Sequence, residues 1–244
     1  MTSRTASKPI EVTSSAAILI PALLLFISGS AALVYQVLWI KQLSLVVGVE
    51  VYAITTGISG FFAGLALGGL LFGRLADRFA RPLLLYAGIE LLVAVFGVGA
   101  TLALGMAAEP FAWLEQRIGL LAWALPFLLV GLPALLMGGT LPVLVRSLNI
   151  DAKGLGQAGG RLYAANTAGA IAGTLLTAFV LIAQFGVRGS ALAAALLNLV
   201  AALGALLSLR HPVAARVPPA HRVQPARLAL VLYAIAGGVA LGYE

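Results

Sequence analysis

Between Ala16 and Leu209 the chain is a series of long apolar runs, and its charges gather in the short segments between them. A bilayer core of roughly 30 Å takes about 20 residues of helix, and only helices or closed barrels leave no backbone group unsatisfied there. Composition points the same way. Hydrophobic residues make up 61% of the chain, charged residues 9%, and mean hydropathy is +1.07, whereas soluble domains are about 25% charged. The fold class expected is an all-α integral membrane protein with six transmembrane helices and the start of a seventh.

The balance of +7 would suggest nucleic acid in a soluble chain, but here the basic residues sit between apolar runs, where they set topology. Nucleic acid is dropped as a partner, and the lipid bilayer takes its place. The chain has no cysteine, which excludes disulfides, thiolate metal sites and iron–sulfur clusters. Its two histidines, His211 and His221, share one Pro/Arg-rich stretch. No metal and no cofactor are expected.

Read in order, residues 1–15 form a polar cytoplasmic tail, and 16–209 form a six-helix bundle. The first run, Ala16 to Ile40, continues past the small residues Ser28-Gly29-Ser30 that a signal peptide would offer for cleavage, so an uncleaved helix is expected. The second helix covers about Val51 to Phe72. The third starts at Pro82, where a missing N–H costs nothing, and ends near Met106. Glu109 to Arg117 sets aromatics on one side and charges on the other and reads as an interfacial segment. The fourth helix, Leu120 to Val145, is broken by Pro126 and Pro133. A loop from Arg146 to Arg161 follows. The fifth and sixth helices are Leu162 to Ile182 and Ser190 to Leu209, joined by the tight Gly186-Val187-Arg188-Gly189. Residues 210–227 form a basic, proline-rich cytoplasmic linker, and 228–244 begin a second membrane repeat.

With the N-terminus inside, twelve of the fifteen basic residues fall on the inner side, and Lys41, Arg117 and Arg188 fall outside. Positive residues favour the cytoplasmic side, and one misplaced helix would scramble the asymmetry. Trp39 and Lys41 read as outer-interface anchors. The expected location is the inner (plasma) membrane.

Gly60, Gly64 and Gly68 stand one turn apart, leaving a groove into which a second helix can press its backbone. The same helix ends in a basic turn, Gly73-Arg74-Leu75-Ala76-Asp77-Arg78, which resembles the turn between the second and third helices of major-facilitator-type transporters. That resemblance implies that Asp77 meets a helix end or an arginine and holds one conformation.

Gly237 to Glu244 echoes Gly29 to Gln36 at an offset of 208 positions, with Tyr243-Glu244 answering Tyr35-Gln36. Such an echo is expected of transporters built from two related halves, and it suggests a chain continuing past Glu244. Three phrases sharpen the family. Ser28 to Trp39, Gly139 to Arg146 and Gly160-Arg161-Leu162-Tyr163-Ala164-Ala165-Asn166-Thr167-Ala168-Gly169-Ala170 resemble the membrane half of the fused major-facilitator/spermidine-synthase family. The resemblance implies a major-facilitator-like half preceding a soluble aminopropyltransferase-like domain. No such domain is legible here, since no glycine-rich turn follows a strand, and no residue carries a catalytic motif. Gln36 departs from the family's expected glutamate, which Glu244 restores.

Inside the spans, Glu90 is the ionisable residue that lipid makes costly, so it should face the bundle interior. Tyr86, Glu90, Ala94, Gly97 and Thr101 fall on one helical face. Tyr163, Thr167, Ala170, Thr174 and Thr177 form a similar stripe, with Asn166, Gly169 and Gly173 beside it. Glu90, Tyr86, Thr101, Tyr163, Asn166 and Thr167 are the candidate cavity residues, and Gly169 and Gly173 join the first ladder as candidate packing residues. Glu90 reads either as a cation-attracting group or as the partner of an arginine near the inner turn. Three functional classes stay open. One is a membrane module that anchors or feeds a polyamine-synthase-like catalytic domain of the same protein. The others are a transporter half that binds a small cation, and a scaffold for other membrane subunits or further helices.

Overall fold

A computed structural model describes residues 15–148 and 152–209, together with Ile235. The expected tail apart from Ser15, the 210–227 linker and nearly all of the 228–244 repeat, Tyr243 and Glu244 included, lie outside the described residues. Every regular element among those residues is helical. They are α1 (Ser15–Val47), α2 (Glu50–Arg78), α3 (Pro82–Leu104), α4 (Ala108–Ile118), α5 (Ala124–Gly138), α6 (Thr140–Ser147), α7 (Ala152–Leu176) and α8 (Ile182–Ser208). A 3₁₀ turn, Gly119–Trp123, precedes α5, and a π-helical turn, Thr177–Leu181, joins α7 to α8.

Five segments are long and apolar enough to cross a membrane: Ile18–Val47, Glu50–Arg78, Pro82–Leu104, Ala108–Ser147 and Gly156–Ser208. They make this a multi-pass membrane protein. Leu67, Leu70, Val95 and Leu196 are among many large apolar side chains turned outward, a surface that water would disfavour and lipid accepts.

The last segment holds 53 residues, about 80 Å if straight. It is not straight. Gly186 leaves the helical region at φ 62° and ψ −173°, a conformation that a Cβ would oppose. Packing gives the consequence. Gly169 lies against Phe26 and Gly173 against Ser30, so α7 runs parallel to α1. Gly204 lies against Leu24, while Asn198 bonds Glu90, a neighbour of Ser28. The far part of α8 therefore runs back against α1.

Two expectations for the chain path are corrected. The fourth helix is not one proline-broken rod: the 3₁₀ turn opens it, Pro126 falls in the first turn of α5, and the break between α5 and α6 comes at Gly139. A proline in a first turn removes no helical hydrogen bond, so Pro126 breaks nothing. The loop expected through Arg161 is already helical from Ala152. Elsewhere α4 buries Phe111 against Trp123 at 5.4 Å and turns Trp113 outward beneath the Arg117 guanidinium.

The bundle is built from close helix pairs, of which α1 with α7, α2 with α5 and α3 with α8 are the most extensive. A Cβ on Gly64 would lie 2.5 Å from the Gly131 carbonyl oxygen and 2.7 Å from Ala134 Cβ, and one on Gly60 3.2 Å from the Phe127 oxygen. Gly68 meets the backbone of Leu135 more tightly still. Where α7 passes α1 at Gly169 and Gly173, Ser30 Oγ reaches the Gly169 carbonyl at 2.9 Å while also bonding its own Phe26 carbonyl at 2.8 Å. Small residues thus bring backbones close enough for a side chain to bridge them.

Candidate functional site

Spacing of four, four, three and four residues sets Tyr86, Glu90, Ala94, Gly97 and Thr101 in one line on α3, and all five are buried. The line faces α1 and α8. At its upper end the Trp39 indole N–H donates to Thr101 Oγ1 at 3.0 Å, Thr101 donates to the Gly97 carbonyl at 2.9 Å, and Gln42 Nε2 donates to the Thr101 carbonyl at 2.8 Å. Trp39 is 0% exposed and stacks on Tyr35 at 5.4 Å. The reading of Trp39 as an interface anchor is therefore wrong, because its N–H has a partner inside the bundle. Lys41 is exposed.

Gly97 makes room for the Tyr35 ring, since a Cβ there would stand 2.5 Å from Tyr35 Cζ. Two turns down, Glu90 is 0% exposed. Asn198 Nδ2 donates to Glu90 Oε2 at 2.7 Å. The hydroxyls of Ser28 and Tyr86 stand beside the carboxyl, and Tyr86 donates to the Leu24 carbonyl at 3.2 Å. Glu90 Oε1, Asn198 Oδ1, the Tyr35 hydroxyl and Gln42 Oε1 are buried with no hydrogen-bond partner among the described residues. Buried polar atoms are nearly always paired, so four open ones along one seam mark it as the candidate site.

Of the two readings of Glu90, the arginine partner is not found among the described residues. Asp77, in the last turn of α2, pairs instead with Arg146 of α6 at 3.6 Å. Gly73 lies beside Pro142, and Arg74 and Arg78 are exposed. Geometry explains the exchange. Parallel packing of α2 on α5 brings the ends of α2 and α6 together, while α3 turns Glu90 toward α1 and α8.

Helix α7 does not join the line. Tyr163 is 61% exposed, Thr167 is exposed with its hydroxyl on the Tyr163 carbonyl at 3.0 Å, and Asn166 is half-buried against Gly29. These three candidates are separated from Glu90, Tyr86 and Thr101. The residue that does join, Asn198, was missed by reading the sequence. Its signal was present, as the one amide in the apolar stretch from Ala191 to Leu207, and a polar group in lipid seeks an interior partner. Of the repeat pair, Tyr35 is buried and Gln36 half-buried.

Five membrane-length segments around a sequestered polar seam define a multi-pass helical membrane protein. No protein-family model matches the sequence, and no solved structure matches it. Among curated proteins the chain is similar to the polyamine aminopropyltransferase of Corynebacterium efficiens, at 29% identity over 220 residues. That match takes in 87% of this chain and 39% of the relative, so the chain spans about two-fifths of the protein it resembles. The relationship to spermidine-synthase-like proteins is distant.

Proposed function

We propose that this chain is the membrane module of a spermidine-synthase-like protein, anchoring an aminopropyltransferase-type catalytic domain at the inner (plasma) membrane or feeding it amine. The observation that carries the reading is the reach of the similarity, 87% of the chain against 39% of the relative, in a chain made of membrane-length helices. The test is a fractionation. When residues 16–209 are deleted from the gene in its own host, aminopropyltransferase activity should leave the membrane fraction or fall several-fold. Membrane-bound activity and polyamine content equal to the parent's would overturn the proposal.

Within that reading, residues 16–209 form a major-facilitator-like half with six crossings. The turn at Gly186 and the opposed runs of α7 and α8 against α1 support it. Residues 210–227 serve as the cytoplasmic linker and 228–244 as the start of a second repeat. Asp77 and Arg146 latch the ends of α2 and α6. Because the Asp77 side chain is 64% exposed, the pair contributes at most about 1 kcal/mol, enough to bias two conformations but not to fix one.

The twelve-to-three division of basic residues supports a cytoplasmic N-terminus. A cysteine placed at exposed position 78 should then react with a membrane-impermeant thiol reagent only after the cells are opened. Labelling from outside intact cells would reverse the orientation.

A second reading, a transporter-like half that binds a small cation, is favoured by the open oxygen on Glu90. The exposed face of α7 with Tyr163 and Thr167 suits contact with further membrane helices or other subunits.

A further inference from the structure

We infer that the seam between α1, α3 and α8 binds a linear di- or polyamine, with one primary ammonium seated on Glu90 and Asn198 and the chain lying toward Tyr35. The first argument is charge. Glu90 is wholly buried, and no arginine or lysine among the described residues forms an ion pair with it. A carboxyl inside a membrane bundle needs either a positive partner or a proton.

The second argument is the kind of atom left open. Glu90 Oε1 and Asn198 Oδ1 are acceptors, and the Tyr35 hydroxyl accepts as readily as it donates. A primary ammonium brings three donors and no acceptor. A proton on Glu90 would neutralise the charge but add a single donor. A metal ion is a poorer match, because hard cations gather six or more oxygens, and the described residues hold no cluster of three His, Cys, Asp or Glu.

The third argument is arrangement. Ser28, beside Glu90, is followed on α1 by Tyr35 and Gln42 at intervals of seven residues, about 10 Å of helix each. Open acceptors stand at each of the three levels. A row suits an extended molecule with nitrogen at both ends better than a compact cation. The stacked rings of Tyr35 and Trp39 beside it add faces that attract ammonium groups.

The choice of a polyamine rests on the reading given under the proposed function, and the experiment separates the two. The full chain, purified in detergent, is titrated with spermidine, with butylamine, and with sodium and potassium chloride at matched ionic strength, following thermal unfolding. Spermidine should raise the melting temperature saturably, and butylamine should act at least tenfold more weakly. Glu90→Gln should bind spermidine at least tenfold more weakly. Should that variant fail to fold, Tyr35→Phe decides. It removes a hydroxyl that has no partner, so it should melt like the parent without amine yet bind spermidine several-fold more weakly. No effect of spermidine, an equal effect of the salts, or unchanged binding by Tyr35→Phe or by folded Glu90→Gln overturns the inference. A chain that binds no amine while aminopropyltransferase activity still follows the membrane leaves the anchoring role standing.

Discussion

Replacing Gly64 with leucine is expected to unseat α2 from α5 and to lower the melting temperature in detergent more than any exposed glycine substitution. The added Cβ alone would stand 2.5 Å from the Gly131 oxygen, 2.7 Å from Ala134 Cβ and 2.9 Å from the Leu135 nitrogen. Two of those three neighbours are backbone atoms of a regular helix, which cannot rotate away as a side-chain end can. Overpacking usually costs 1 to 3 kcal/mol, and a site walled by backbone belongs at about 3 kcal/mol. Gly88→Leu is the control, because that exposed α3 position has no atom within 4 Å of its Cβ. Equal melting temperatures for the two variants would mean that α2 does not lie on α5 in the membrane.

Trp39→Ala carries the second large effect. An interfacial anchor would lose little on truncation, whereas the indole here is fully buried, stacked on Tyr35 and bonded to Thr101. Truncating a buried tryptophan costs about 3 to 5 kcal/mol in water-soluble cores. Lipid removes much of the transfer portion but not the cavity or the lost hydrogen bond, so about 3 kcal/mol is expected here. Trp39→Phe keeps most of the ring contact and gives up the N–H, for a loss of about 1 kcal/mol. Thermal unfolding of the three proteins in one detergent checks the order, and an alanine variant as stable as the parent would return Trp39 to the interface.

Asn198 shows what one helix read by itself leaves open. Its place in α8 could be read, and so could its need for a partner, but the partner lies 108 residues away on α3. The alignment depends on the turn at Gly186, a local event that sets which residues of α8 come level with Glu90. Tyr163 and Thr167 fail for the opposite reason. Their spacing gave α7 a polar stripe, yet periodicity says which residues share a face and not which way the face points. Gly169 and Gly173 of α7 sit on α1, so the neighbouring face turns outward.

What the sequence determined by itself is the helical, membrane-spanning character of the chain. Hydrocarbon offers the backbone no hydrogen bonds, so a run of apolar residues long enough to cross has little choice but to satisfy them along its own axis. The register of Gly60, Gly64 and Gly68 follows equally locally, from the pitch of a helix. Which helix they receive, why Trp39 is inside, and why Glu90 meets an amide on α8 rather than an arginine were decided by tertiary structure. The physical reason is that in lipid the specificity between helices comes from close backbone approach and a few buried polar contacts. Those contacts join residues far apart in the chain, and their geometry exists only once the helices have packed.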